Sequence, residues 1–343
     1  MNTPGGLLRG AAAAVAGAPL EAFGHGTAVH GLGDLAHAYT LDPWVLVPLA
    51  LLAALYTAGV ARLWKRAGRG RGVSRVRVAA FCGGMLALGL ALVWPLDALA
   101  GAALSAHMAQ HVMLTAVAAP LLAGSSPIVV SLWGLPRRFR RALGAAARPR
   151  VVRGGRSALA LPVVAWSVYA ALLWGWHMPG PYQAALERDW LHTLEHGGFL
   201  GGALVLWWAV WLSARDRVLG LGSGVFLLFT TGLQEGMLGA LFTFSGQPLY
   251  AFYAAAPGLW EATPLEDQQL AGVLMWIAGG AVYLGAGLAL TYVWLRELER
   301  GAGVQRAGTT ATPHGRVPTG IRATTSSDSV STTVTSSDGP FAV

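Results

Sequence analysis

Long apolar stretches separated by short polar links dominate the amino-acid sequence. Seven stretches reach the roughly 20 residues that an α-helix needs to cross the hydrocarbon core of a bilayer. They are residues 44–64, 78–96, 103–123, 158–176, 191–212, 219–244 and 270–295. Because backbone polar groups in lipid must be satisfied within the segment itself, we interpret these stretches as helices and not strands. The pattern predicts an all-α, polytopic membrane bundle of seven transmembrane helices.

Composition excludes several other classes of protein. Hydrophobic residues make up 54% of the 343 positions and charged residues only 12%, whereas a soluble domain carries charge at about a quarter of its positions. The apolar content excludes disorder for most of the chain. The single cysteine, Cys82, excludes a disulfide scaffold and a zinc–thiolate module.

The basic residues occupy alternate links between the apolar stretches. Of the 24 Lys and Arg, all except Arg9 and Arg188 lie at the end of the first stretch or after the first, third, fifth or seventh stretch. Cytoplasmic links carry such an excess of positive charge, so we predict the N-terminus outside and the C-terminus in the cytoplasm. The net charge of +8 therefore reports topology and does not indicate nucleic acid as a partner.

The two ends of the chain differ from the bundle, which we place at residues 44–295. Residues 1–43 form a predicted extracytoplasmic segment, in which the alanine run 11–14 and Ala14-Val15-Ala16 are consistent with a weak signal peptide. An uncleaved segment is the alternative. Residues 296–343 are rich in Thr, Ser and Gly and are predicted to form a disordered cytoplasmic tail.

Five of the nine histidines lie at predicted helix ends on the outer side. His107 and His111 begin the third apolar stretch, His192 and His196 begin the fifth, and His177 follows the fourth. A spacing of four residues places two side chains on the same helix face. Since successive helices alternate in direction, all five imidazoles are expected in one outer layer.

Carboxylates and thioethers lie near the same layer. Asp267 precedes the seventh stretch, Glu195 adjoins a histidine, and Glu235 lies deeper within the sixth stretch. Imidazole with carboxylate suits zinc, copper, iron or nickel, and thioethers such as Met108 and Met178 would favour Cu(I). We therefore predict a metal site made by His107, His111, His177, His192, His196 and Asp267.

Several alternatives remain open at the level of sequence. A membrane-embedded zinc hydrolase would use three histidines and a carboxylate to activate water, with Asp267 or Glu195 as general base. A haem b electron-transfer protein would use one imidazole from each histidine pair as an axial ligand. A structural partner without metal is a further possibility. Glu235 fits either a protonated, hydrogen-bonded carboxyl or a proton relay.

Three groups of motifs carry a resemblance to a known family. The first is His107-Met108-Ala109-Gln110-His111, leading to Ala119-Pro120-Leu121-Leu122. The second is Trp176-His177-Met178-Pro179, followed by Leu191-His192, Glu195-His196 and Trp207-Trp208. The third is Pro248-Leu249-Tyr250 through Tyr253, then residues 264–272 and Met275-Trp276. In this order the motifs resemble the CtaG proteins of the caa3 type, bacterial assembly factors for cytochrome c oxidase, over roughly residues 40–295.

The resemblance implies a multi-pass protein of the bacterial plasma membrane that is needed to mature a haem-copper oxidase through copper delivery. It implies a non-enzymatic role, with cytochrome c oxidase subunits and the lipid bilayer as partners. Single-span copper chaperones that share the family's name carry cysteine ligands, which this chain lacks at the corresponding place. The expected metal is copper, with zinc or haem b as alternatives.

Overall fold

A computed structural model of the chain describes residues 38–310, apart from 40, 148, 215–218 and 255–261. Every regular element within these ranges is a helix. The first half contains α1 Pro43–Ala67, α2 Arg75–Leu92, α3 Leu96–Ala100, α4 Leu104–Val112, α5 Ala119–Ser125, α6 Pro127–Gly134, α7 Arg137–Ala146 and α8 Arg150–Leu159. The second contains α9 Pro162–His177, α10 Pro179–Glu187, α11 Asp189–Ser213, α12 Leu219–Thr243, α13 Ala251–Ala254, α14 Pro264–Val273 and α15 Gly280–Thr310.

Two π-helical segments join α-helices into longer rods. Met113–Ala118 connects α4 to α5, and Leu274–Gly279 connects α14 to α15. The two continuous helical segments formed in this way correspond to two of the predicted stretches, 103–123 and 270–295. Segments of π-helix are frequent at functional sites, and the first one begins two residues after His111.

Among the described residues, six helical stretches are long and apolar enough to cross a bilayer, judged by length and composition. They are Pro43–Ala67, Arg75–Ala100, Leu104–Ser125, Asp189–Ser213, Gly220–Thr243 and Pro264–Arg300. The remaining predicted stretch, 158–176, corresponds to α9, whose 16 residues extend about 24 Å at 1.5 Å per residue. The helical fold is confirmed, whereas the count of seven spans stays a prediction.

The chain ends need a separate description. Residues 1–37, with the predicted signal peptide, lie outside the described residues. Helix α15 continues to Thr310, so it extends into the segment predicted as a disordered tail. Residues 311–343 of that segment lie outside the described residues.

Proline determines where several helices begin. It occupies the first position of α1, α6, α9, α10 and α14, where its fixed φ suits the helix and no N–H is needed. Between α9 and α10, Pro179 also disfavours helical geometry at Met178. The break leaves His177 as the last residue of α9.

Helix α11 lies at the centre of the larger core, packed against α5, α9, α10 and α12. Phe199, Ala203 and Leu206 of α11 are buried there. The same core contains a polar network in which Tyr169 of α9 donates a hydrogen bond to Glu235 of α12. The carboxyl of Glu235 is thus hydrogen-bonded to a neighbouring helix, and the choice between a protonated carboxyl and a proton relay stays a prediction.

Helices α1 and α6 approach each other closely through two glycines. A Cβ atom on Gly59 would lie 2.0 Å from the carbonyl oxygen of Val130, and one on Gly134 would lie 2.1 Å from that of Leu55. Small residues permit such backbone contacts between helices in a membrane. Arg62 reinforces the contact, because its Nη1 donates to the carbonyls of Trp133, Gly134 and Leu135 at 2.6–2.9 Å.

This packing predicts that Gly134→Ala destabilises the protein. The added methyl group overlaps backbone that cannot rotate away, so we expect the free energy of unfolding to fall by about 1–3 kcal/mol. Gly89→Ala in α2 is the matched control, because its Cβ meets nothing within 4 Å in the described ranges. Thermal unfolding in detergent measures both variants, and equal stability of the two would contradict the predicted contact.

Candidate metal centre

Three helices present the five predicted histidines. His107 and His111 lie on α4, His192 and His196 on α11, and His177 at the end of α9. All five side chains are buried, and His107 has no exposed surface. Alternating helix direction brings the starts of α4 and α11 to the same end of the bundle as the end of α9, as predicted from their order in the sequence.

The imidazole rings contact one another. The His107 ring centroid lies 4.5 Å from that of His111, 5.2 Å from that of His192 and 5.6 Å from that of His196. The ring centroids of His192 and His196 are 4.1 Å apart. Four imidazoles from two helices therefore form one compact group, which we call the histidine group (His107, His111, His192 and His196).

Glu195 is part of this site, although it is not among the ligands predicted from the sequence. Its side chain has 0% exposure, and neither carboxylate oxygen has a hydrogen-bond partner among the described residues. Its Oε1 lies 3.9 Å from Nε2 of His111, too far for a hydrogen bond. The feature of the sequence that could have identified Glu195 as part of the site is its position directly before His196, on the helix that carries both His192 and His196.

Two sets of three side chains place possible ligand atoms within 4.8 Å of one another. Among the described residues these are His107, His192 and His196, and His107, His111 and Glu195. His107 belongs to both sets. The distances are short enough for one cation to contact all three members of either set after small side-chain movements.

Tyr253 determines which nitrogen of His107 carries the proton. The Tyr253 hydroxyl donates to the carbonyl oxygen of Ala100 at 2.6 Å, and its oxygen lies 2.9 Å from Nδ1 of His107. Since the hydroxyl hydrogen is used on the carbonyl, the oxygen accepts from Nδ1–H. The lone pair of the neutral ring is then on Nε2, and partners of this kind orient metal-binding histidines in proteins.

His177 is oriented in a similar way but stands apart from the two sets. Its Nδ1 lies 2.7 Å from the carbonyl oxygen of Leu173, which can only accept, so Nδ1 carries the hydrogen. Nε2 is buried without a hydrogen-bond partner in the part of the chain that the structure describes. The ring centroid is 5.8 Å from that of His111, which places His177 beside the histidine group.

Asp267, predicted as a metal ligand, has another role. Its carboxylate accepts from the backbone N–H of Leu104 at 2.6 Å and of Ser105 at 3.3 Å, and also from the Ser105 hydroxyl. These are the first residues of α4, whose N-terminal amides lack partners within the helix. Asp267 therefore caps the helix that carries His107 and His111, and it supplies no atom to either set.

Tyrosines cover the histidine group at this end of the bundle. Tyr182 lies with its ring 5.4 Å from that of His107 and 4.1 Å from that of Tyr250. Burial raises the pKa of Tyr182, Tyr250 and Tyr253 above the ordinary value for a phenol. They remain neutral, so Glu195, the one carboxyl in the two sets, is the group there that can offer a negative charge to a bound cation.

A cavity of about 250 Å³ reaches the histidine group from the side of α1. Its lining includes His192 and His196 together with three aspartates, Asp42, Asp97 and Asp189. Asp97 is held by Nε2 of Gln110 at 3.1 Å. Carboxylates around a cleft raise the local concentration of cations, so the cavity favours positively charged ligands.

The donor set fits a metal ion. A buried polar atom left without a hydrogen bond costs about 1–3 kcal/mol. In the described ranges both ring nitrogens of His111 and both oxygens of Glu195 are in that state. A cation between the two side chains could bind one ring nitrogen of His111 and the carboxylate of Glu195. Met108, one of the two thioethers that would favour Cu(I), packs in the apolar core.

Fold and site together define a polytopic helical membrane protein with a buried group of imidazoles and one carboxylate at one end of its bundle. The chain belongs to the family described as cytochrome c oxidase caa3 assembly factor (Caa3_CtaG), whose model matches residues 54–297. This confirms the resemblance carried by the sequence motifs. No curated protein and no solved structure matches the chain.

The cap on α4 predicts that Asp267→Asn weakens the fold. An amide offers a neutral acceptor to donors that now bind a charge, so we expect a loss of about 1.5–3 kcal/mol in the free energy of unfolding. Glu266→Gln is the control, because Glu266 is exposed and its contact with Thr263 is a capping box that glutamine also forms. Unfolding in detergent distinguishes the two variants, and an unchanged Asp267→Asn protein would exclude the cap as a stabilising contact.

Proposed function

We propose that the protein binds a copper ion in the histidine group and delivers it to a haem-copper cytochrome c oxidase beside it in the bacterial plasma membrane. The observation that carries the proposal is the buried carboxylate of Glu195, which faces His111 without a hydrogen bond among the described residues. Family membership supplies the link to the oxidase. Copper is the cargo of the protein in this proposal.

The charge of the site favours Cu(I) over a divalent ion. Neutral imidazoles contribute no charge, and Glu195 contributes one negative charge when it binds a cation as a carboxylate. A monovalent cation beside it gives a neutral pair, whereas a divalent ion leaves a net charge that is costly to bury. Imidazole is also a suitable copper ligand.

The alternatives receive less support from the geometry. The rings of His107 and His192 meet edge to face with centroids 5.2 Å apart, so no gap for a flat macrocycle lies between them. This argues against a haem held by that pair. The three-histidine set would suit zinc as well, and analysis of the bound metal separates a zinc hydrolase from a copper carrier.

The arrangement also supports a site on the outer side. In α1, Asp42 at the start borders the cavity, while Lys65 and Arg66 lie in the last turn. Arg62 of α1 donates a hydrogen bond to the carbonyl of Trp133 in α6, which brings the end of α6 to this basic end of α1. Arg137, the first residue of α7, follows shortly after α6 and therefore lies near the same end. Since basic residues favour the cytoplasmic side, we place the histidine group at the extracytoplasmic face, with seven spans.

Elemental analysis of the protein purified in detergent tests the metal. We expect about one copper per chain in the wild type and none in the double variant His107→Ala/His196→Ala, because each set of three then loses a ligand. Cells carrying the double variant should have less oxidase activity. His314→Ala, in the predicted tail, is the control. Unchanged metal content in the double variant, or stoichiometric zinc in the wild type, would contradict the proposal.

Single cysteines test the topology. In a Cys82→Ser background, Gly246→Cys lies in the link after α12 and Gly144→Cys in α7, and neither Cβ meets an atom within 4 Å in the described ranges. We expect a membrane-impermeant maleimide to label Gly246→Cys in intact cells and Gly144→Cys only after lysis, because the basic link is cytoplasmic. The reverse pattern would invert the proposed orientation.

A further inference from the structure

The two sets of ligands share a side chain that can serve only one of them at a time. His107 belongs to both sets, and Tyr253 occupies its Nδ1 side at 2.9 Å. With the proton on Nδ1, the ring has one nitrogen lone pair, on Nε2, through which it can bind a cation. A single imidazole nitrogen forms a bond to one ion, so His107 cannot complete both sets simultaneously.

The two sets also differ in their access to the acid-lined cavity. His192 and His196 form part of its wall, beside Asp97 and Asp189. His111 and Glu195 are not part of that wall as the described residues outline it, and Glu195 has no exposed surface. A cation arriving through the cavity therefore meets the histidines of α11 before it meets Glu195.

Charge limits the site to one cation. Glu195 is the one carboxylate in the two sets, and the tyrosines beside them are neutral. Two cations at once would leave an excess of positive charge in a buried region, which is unfavourable without further anions. The two sets are therefore alternatives for a single ion.

We propose that the site offers two overlapping positions for one Cu(I) ion, exchanged through His107. In the cavity position the ion is bound by His107, His192 and His196, and in the buried position by His107, His111 and Glu195. During the exchange the bonds to His192 and His196 break while those to His111 and Glu195 form, and no electron is transferred. His107 keeps hold of the ion throughout. This proposal rests on the proposed function.

Two positions in sequence have kinetic consequences that a single four-ligand site lacks. The buried position retains the ion, so a substitution that weakens binding there speeds release without affecting the rate of loading. The ion passes through the cavity position both when it enters and when it leaves, so a substitution that weakens binding there slows loading and release together. In a single site, loss of either ligand would speed release, because every ligand would hold the same bound ion.

The test measures Cu(I) loading and its release to a chromogenic Cu(I) chelator, with the full-length protein in lipid nanodiscs. We expect Glu195→Gln to release copper about tenfold faster, the equivalent of roughly 1.4 kcal/mol, and to load at the wild-type rate. We expect His192→Gln to slow both loading and release by a similar factor. Glu187→Gln is the control, because the exposed carboxylate of Glu187 belongs to neither set of ligands and accepts a hydrogen bond from the side chain of Gln183.

Each result decides between the models. One copper per chain with the opposed effects of Glu195→Gln and His192→Gln supports two exchanging positions. Faster release from both variants means a single site and overturns this proposal while leaving copper binding intact. Two coppers per chain would also overturn it. A wild type that binds no copper would overturn the proposed function as well. Thermal unfolding confirms that each variant is folded before its rates are compared.

Discussion

Burial of imidazoles and a carboxylate in an apolar helical bundle is the constraint on which the rest of the structure depends. In such an environment each polar atom needs a partner. Tyr253 and the carbonyl of Leu173 satisfy one nitrogen each on His107 and His177. Glu195 and His111 have no hydrogen-bond partner in the described ranges, and this is the observation on which the proposed cation rests.

The scaffold around the histidines fixes where these atoms lie. Asp267 caps α4, so the helix with His107 and His111 is anchored to α14, while Pro179 ends α9 where His177 is needed. Elsewhere, glycines let α1 and α6 meet backbone to backbone. The first two features lie outside the two ligand sets, yet they fix where α4 begins and where α9 ends.

Much of the architecture could be predicted because it follows from local pattern. Apolar length identified the helices, and the spacing of four between His107 and His111 and between His192 and His196 placed each pair on one face. The role of Asp267 was harder to predict. A carboxylate before a helix in the right layer looks like a ligand, and only the position of α4 next to α14 reveals that backbone amides use both of its oxygens. The burial of Met108 was equally hard to predict, since only the tertiary structure shows that its side chain packs in the core.

The sequence by itself therefore determined the helices, the layer that contains the five histidines and the family, because these depend on composition, periodicity and motif order along the chain. The tertiary structure decided which side chains meet. It brought Glu195 beside the histidine group, placed the carboxylate of Asp267 at the end of a helix, and made His107 common to two sets of possible ligands. Such choices depend on distances of a few ångströms between residues far apart in the chain, and packing between helices sets those distances.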